Sequence, residues 1–273
     1  MKKNNSVLLS TPYILWMVVF TLIPLGVVAY YALTDPATGA FTLANIRNLN
    51  MYWGVLWQSI LYSLISAFIC LLLGYPVAYY IAHCKATTQK ILYMLVMLPM
   101  CMSFLLRTLA WVGLLQDTGI INDILEFVGI GRKQLIRTPG AVVLGMVYNY
   151  LPYMILPLYA TLVKIDNRLI EAAEDLGCNG LQTFTKVVLP LSVPGIFSGI
   201  TMVFVPAVST FYISQKLGGT DTVFIGDLIE RLFKQGDNPN LGAVLSLVLM
   251  ALVLICTGIM NRLGGDEEGG VIV

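Results

Sequence analysis

Charge is what this chain has least of. Its 273 residues include 16 Lys and Arg and 15 Asp and Glu, 11% in all, against 58% hydrophobic residues and a mean hydropathy of +0.81. Such values lie far outside the range of a soluble domain of this length. A net charge of +1 leaves no basic excess for a nucleic-acid partner. Histidine occurs once, at His83, where a long apolar run ends, and it reads as an interfacial polar tip rather than a ligand or base. Five cysteines, Cys70, Cys84, Cys101, Cys178 and Cys256, show no CxxC pairing, so they indicate neither a disulfide framework nor a zinc site and read as packing residues. No GxxxxGK[ST] phosphate loop is present, so the chain does not bind ATP in that way. No Ser/His/Asp set or carboxylate pair can be assembled from the apolar runs, which disfavours an enzyme and leaves no catalytic or metal-binding residue to assign.

What is present in excess is uninterrupted apolar sequence. A helix needs roughly 20 apolar residues to cross a hydrocarbon core of about 30 Å. Six runs qualify, near 13–33, 55–82, 91–115, 139–163, 194–213 and 241–261, and within them the only Lys, Arg, Asp or Glu is Arg107. The runs do not alternate as barrel strands do, so each is expected to be helical. The fold class is all-α, a polytopic membrane bundle of six spans. The first run is long and lacks a small-residue cleavage site, so it reads as a retained anchor, with Lys2 and Lys3 on its cytoplasmic flank. The chain divides into a cytoplasmic N-terminus (1–12), a transmembrane domain (13–263) and a Gly-rich acidic tail (264–273) read as disordered. Lys and Arg divide eight to seven between the two sides, which scarcely sets orientation. Lysines in the short 83–90 connection favour both termini inside.

The connection 164–193 has its own pattern. Asp166 is a fair N-cap, and Leu169, Ile170, Ala172, Ala173 and Leu176 share about half of a short helix, with Arg168, Glu171, Glu174 and Asp175 on the other side. Gly177 is placed to end it. A second short helix is expected over 180–189, with Pro190 and Pro194 blocking continuation. Ala172 and Ala173 form a small-residue face able to enter a partner's groove. An amphipathic loop resting on lipid headgroups is the alternative.

Glu171-Ala172-Ala173, then Gly177, then Val187 and Leu189-Pro190 resemble the EAA signature of inner-membrane permease subunits in binding-protein-dependent ABC importers. The likeness runs from about Tyr13 to Ile259. Arg107-Thr108-Leu109-Ala110-Trp111, Thr138-Pro139, the Leu151-Pro152 and Leu156-Pro157 breaks and Phe211-Tyr212-Ile213-Ser214 are similar to the spermidine/putrescine type. The resemblance implies a type I (MetI-like) permease bundle in a bacterial inner membrane, with both termini cytoplasmic. It implies two copies of an ATPase, a second homologous permease, an extracytoplasmic solute-binding protein, surrounding lipid and a polyamine cargo, with ATP and Mg²⁺ held by the ATPase and no cofactor on this chain. Glu171, Ala172, Ala173, Asp175, Gly177, Leu189 and Pro190 would couple ATP hydrolysis to the bundle.

Within the spans, Arg107 is a functional candidate by default, because a charge near the centre of a spanning helix costs at least about 2.5 kcal/mol. It reads either as a structural residue, snorkelling outward or bonding a loop carboxylate, or as an outer gate post, with Trp111 beside it. Aromatic faces attract ammonium groups by about 0.5–2 kcal/mol each, enough to guide a polyamine without trapping it. Tyr148, Asn149, Tyr153, Phe204, Phe211 and Tyr212 are the candidate path residues, although membrane aromatics also serve as packing and interface belts. Two external segments are expected to be amphipathic helices meeting the binding protein. One has Ile120, Ile121, Ile124, Leu125 and Val128 opposite Asn122, Asp123 and Glu126; the other has Phe224, Leu228, Ile229 and Leu232 opposite Asp227, Glu230 and Arg231. Alternatives to a polyamine permease are the same machinery carrying an amino acid derivative or organic ion, and a receptor or channel subunit that transports nothing.

Overall fold

In hydrocarbon every backbone N–H and C=O must be satisfied within the protein, and a helix does this locally. The computed structural model describes residues 12–35, 39–42, 44–219, 222–234 and 238–264, and among them there is no sheet, only one isolated bridge between Thr34 and Phe41. Besides a single turn at Ala44–Arg47, the helices are α1 (Pro12–Ala32), α2 (Trp53–Ala82), α3 (Ala86–Met97), α4 (Phe104–Leu115), α5 (Ile120–Phe127), α6 (Pro139–Leu162), α7 (Asn167–Asp175), α8 (Gly180–Val208), α9 (Tyr212–Leu217), α10 (Ile225–Lys234) and α11 (Pro239–Gly264). Six stretches are long and apolar enough to cross a membrane, namely Pro12–Ala32, Leu49–Ala82, Phe104–Phe127, Pro139–Leu162, Gly180–Val208 and Pro239–Gly264. The expected termini, 1–11 and 265–273, lie outside the described residues, and Gly264, assigned to the tail, is the last residue of α11.

The chain forms two compact units. The smaller comprises residues up to Gly54 together with Leu228–Leu252. Its core is Ala32, Ala243 and Val244, with Val28, Leu49, Leu247 and Val248 packed around them. At the buried C-terminal end of α1, Asn45 Nδ2 donates to the carbonyls of Thr34 (2.9 Å) and Ala32 (3.3 Å), and Asn240 Nδ2 also donates to Thr34 O. These amides take up carbonyls that a helix end leaves without partners.

The larger unit is centred on α6, the most buried of the spans. Met146, Met154 and Leu158 of α6 are fully enclosed with Cys70 and Ala78 of α2 and Val203 and Ala207 of α8. Small residues permit the closest approach, since helices in lipid associate through packing rather than through a hydrophobic drive. A Cβ at Gly195 would lie 2.6 Å from Thr161 Oγ1, and one at Gly199 would lie 2.6 Å from Met154 Sδ. Hydrogen bonds add to the packing, with Tyr75 OH of α2 and Ser192 Oγ of α8 2.8 Å apart and the Ile225 N–H at the start of α10 donating to Ser59 Oγ of α2 at 2.8 Å.

Two expected spans differ from the structure. The run 91–115 is not one helix. Leu98–Cys101 forms a 3₁₀ turn and Met102 is extended, with ψ 146°, so α3 and α4 are separate. Pro99 is the cause, because it has no N–H to continue the ladder. Conversely, Pro190 and Pro194 do not stop α8, which runs unbroken from the elbow into the bundle. A π-turn at Phe184–Val188, in which Leu189 N donates to Phe184 O, widens the helix just before Pro190. Such bulges let proline sit inside a membrane helix without orphaning its neighbours. The fifth span therefore begins some fourteen residues earlier than expected and ends at Val208 rather than 213.

Gly199→Leu should overfill the α6–α8 contact, at a cost of about 1–3 kcal/mol or more. The thermal midpoint of the detergent-solubilised protein should fall by several degrees, at about 2–4 °C per kcal/mol. Gly258→Ala, which meets nothing within 4 Å, should leave it unchanged.

Candidate functional site

The elbow between α6 and α8 is built from local rules. Asp166 is extended, and its Oδ1 accepts from the Arg168 N–H at 3.0 Å, capping α7. At the other end Gly177 has φ +87°, Cys178 N donates to Ala173 O at 3.1 Å and Gly177 N to Glu174 O at 2.8 Å. That bond pair is a Schellman stop, which requires a residue content with positive φ. Asn179 and Gln182 then bond each other's backbone at 2.9 and 3.0 Å, a capping box that starts α8. Because both sides of the turn have satisfied caps, α7 is held at a set angle to α8.

The face α7 presents differs from the expectation. Ala173 is turned inward and only 8% exposed, with half-buried Ile170 beside it. Ala172 alone of the alanine pair is exposed, in a stripe with Leu169 and Leu176 at spacings of three and four residues. Leu176 is 86% exposed and Leu181, at the start of α8, 74%. Glu171, Glu174 and Asp175 are exposed around this stripe. Leu169, Leu176 and Leu181 are exposed apolar residues of the elbow that the sequence reading did not single out as candidates. Periodicity put Leu169, Ala172 and Leu176 on the apolar side, and only packing shows that the side splits into an inward and an outward edge. Leu189 and Pro190 lie within α8, where Leu189 closes the π-turn, and not on the presented face.

The six candidate path residues separate into three pairs. Phe204 (2% exposed) and Asn149 (1%) are inside the unit, so Phe204 belongs to the core rather than a path. Asn149 Nδ2 donates to Gly145 O at 2.8 Å, and its Oδ1 has no partner among the described residues. Tyr153 and Tyr212 are half-buried, Tyr153 against Tyr150 and Tyr212 against Phe104, with Lys216 Nζ 5.8 Å above the Tyr212 ring. Tyr148 and Phe211 are exposed, and Tyr148 meets Trp111 edge-on at 5.4 Å. Phe211 and Tyr212 follow the end of α8 instead of lying in it.

Arg107 is only 6% exposed, and its Nε and Nη1 are buried without a hydrogen-bond partner among the described residues. It stands eight residues before the end of α4, about 12 Å along the axis. Neither the snorkelling nor the loop-carboxylate contact expected of it is seen among the described residues.

In α5 and α10 two polar residues point inward where an outward face was expected. Asn122 is fully buried, donating to Gln116 O at 3.1 Å and accepting from Lys133 N at 2.9 Å, which pins α5 to the loop after it. Asp227 is 1% exposed and accepts from Gln215 Nε2 at 2.8 Å. On the surface Arg132 bonds Glu126 (2.8 Å) and Asp123 (3.1 Å), and these partners raise its pKa above the usual arginine value.

Residues 71–263 match the family described as binding-protein-dependent transport system inner membrane component. The chain belongs to this family. It is 38% identical to the spermidine/putrescine transport system permease protein PotB of Haemophilus influenzae, over 91% of each chain. It is 35% identical to the protein of the same name from Escherichia coli (strain K12), over 91% of this chain and 94% of that one. Among solved structures, a chain of a bacterial ABC transporter that imports the acidic polysaccharide alginate superposes with TM-score 0.76 over 96% of both chains, at 19% identity. A chain of the MetNI methionine ABC transporter does so with TM-score 0.62 at 18% identity, over 79% of this chain and 96% of its own. The fold is thus the type I importer permease bundle, and the permease is a multi-pass inner-membrane transport subunit rather than an enzyme.

The Schellman stop depends on the positive φ of Gly177. Gly177→Val should strain the positive φ by about 1–2 kcal/mol. Amide hydrogen exchange at Gly177 and Cys178 should then accelerate several-fold, while amides in the middle of α6 stay protected.

Proposed function

We propose that this permease forms half of the translocation path of an ATP-driven importer for polyamines of the spermidine/putrescine class. Its likeness to polyamine permeases over nine-tenths of its length carries this reading. The other half of the path is a second, homologous permease, two copies of an ATPase supply the energy, and an external solute-binding protein delivers cargo. ATP and Mg²⁺ bind on the ATPase. Both termini and the α6–α8 elbow face the cytoplasm, where the Leu169–Ala172–Leu176 stripe, with Leu181, docks on the ATPase and the surrounding carboxylates set its register.

The described geometry supports a mechanical role for the elbow. It is capped at both sides of its turn, and α8 passes from it into the bundle without a break. Displacement of the elbow by ATPase closure is therefore carried up α8, and through the Gly195 and Gly199 contacts into α6, where Tyr148 and Tyr153 stand. No Asp or Glu lies within the apolar runs 13–33, 55–82, 91–115, 139–163, 194–213 and 241–261 to trap a polycation. Selective capture accordingly belongs to the binding protein, while aromatic faces on the permease guide passage at about 0.5–2 kcal/mol per contact. One observation favours a second cargo: the buried Nε and Nη1 of Arg107, which have no hydrogen-bond partner among the described residues, suit a solute that carries a carboxylate, such as an amino acid derivative.

Proteoliposomes containing the full complex, with ATP inside and loaded binding protein outside, should accumulate labelled spermidine or putrescine. Uptake of a zwitterionic solute without any amine uptake would replace the cargo assignment. Leu176→Asp and Glu171→Lys should each lower amine uptake at least tenfold while membrane insertion and binding-protein affinity persist; unchanged uptake in both would refute docking through the elbow.

A further inference from the structure

Arg107 of α4 and Asn149 of α6 carry complementary deficits. Arg107 Nε and Nη1 and Asn149 Oδ1 are enclosed, and none has a hydrogen-bond partner among the described residues. A guanidinium only donates and keeps its charge, whereas an amide oxygen only accepts. The Asn149 nitrogen is already committed to Gly145 O at 2.8 Å, which fixes the side chain with its oxygen left over. Ser63 Oγ and Thr183 Oγ1 are also enclosed without partners, but one stands on α2 and the other at the foot of α8. Sealed groups in hydrocarbon have no water to bond, so each of these deficits is costly while it lasts.

The two residues stand within about a turn of the same level on neighbouring helices. Trp111 of α4 meets Tyr148 of α6 edge-on at 5.4 Å. Arg107 precedes Trp111 by four residues, about 6 Å along the axis, and Asn149 directly follows Tyr148. The Arg107 charge also acts on Tyr150, the residue after Asn149. Packed helices lie about 8–10 Å apart, a gap that an arginine side chain can cross. A new rotamer, with a shift of α4 along α6 of up to one turn, therefore brings the guanidinium to Asn149 Oδ1. Helix α9 bears on both: Phe104 of α4 is 6.2 Å from Tyr212, and a Cβ at Gly145 of α6 would lie 2.5 Å from Leu217 Cδ1. Because α8 ends at Val208 and α9 begins at Tyr212, movement of α8 reaches the α4–α6 contact through α9.

We propose that Arg107 and Asn149 form a switched pair, apart in this arrangement and hydrogen-bonded in the one that alternates with it during transport, and that their bond stabilises the second arrangement. Arg107 is then a positioning residue, acting through α6. Each deficit removes the other when the pair closes, so the cost carried here becomes a bias toward the next step of the cycle. The inference rests on the reading of the permease as a moving importer subunit, and not on which cargo it carries.

The test places a carboxylate at position 149. In the full complex in nanodiscs, Asn149→Asp should hold or raise the thermal midpoint, because Arg107 then closes an ion pair. The same change in an Arg107→Met background should lower the midpoint by several degrees, since an enclosed carboxylate is left alone. An equal fall in both backgrounds would show that Arg107 does not reach position 149 and would overturn the proposal. In proteoliposomes with ATP inside and loaded binding protein outside, Asn149→Asp should lower uptake at least tenfold by locking the second arrangement. Asn149→Leu and Arg107→Met should each slow uptake several-fold, with the double variant no slower than either alone. Uptake near the parent's in Asn149→Asp, beside an Arg107-dependent midpoint, would mean a standing contact and refute the switch. Slow uptake in Arg107→Met with none in Asn149→Leu impaired would give Arg107 to a solute carboxylate instead. Absence of uptake by the parent complex would sink the importer reading, while the midpoints would still decide whether the pair forms.

Discussion

The close approach of α6 and α8 is the contact on which the rest depends. Gly195 lies where any side chain would strike Thr161, and Gly199 where it would strike Met154. In lipid no hydrophobic drive pushes two apolar helices together, so packing at this distance supplies the cohesion. The same contact makes α8 a lever rather than a tether, because a helix seated without a gap against the most buried span cannot move without taking that span with it.

The lever begins outside the bundle. The Schellman stop at Gly177, the capping box at Asn179 and Gln182 and the π-turn before Pro190 join α7 to α8 with every local cap made. Stiffness there comes from hydrogen bonds, not from burial, since much of α7 is exposed. The exposed leucine stripe is therefore free to meet a partner while the geometry behind it stays set. A turn without caps would dissipate the displacement that the bundle needs.

Inside the bundle, polar groups are few and mostly satisfied. Ser66 and Cys70 of α2 donate to Met146 Sδ and Val147 O, and Tyr150 donates to Pro206 O. Against that background Arg107 Nε and Nη1 and the Asn149 oxygen, like the Ser63 and Thr183 hydroxyls, are enclosed without a hydrogen-bond partner among the described residues. Leaving a polar group in this state is costly, and in a moving bundle it marks a place where another arrangement can satisfy what this one does not.

Much of this was open to reading along the chain. Long apolar runs dictated helices because hydrocarbon offers the backbone no water, and Asp166 and Gly177 bracketed α7 through capping chemistry that acts within a few residues. The EAA pattern marked the elbow for the same reason: its spacing is local. Tertiary packing settled what local rules could not. Whether proline breaks a helix depended on the neighbouring turn, so Pro99 divided one expected span while a π-turn carried α8 through Pro190. Which residues of an amphipathic helix face out depended on what lay beneath it, so Ala173, Asn122 and Asp227 turned inward and Leu176 outward. Periodicity gives a helix two sides; only the surface it rests on decides which of its edges is left for a partner.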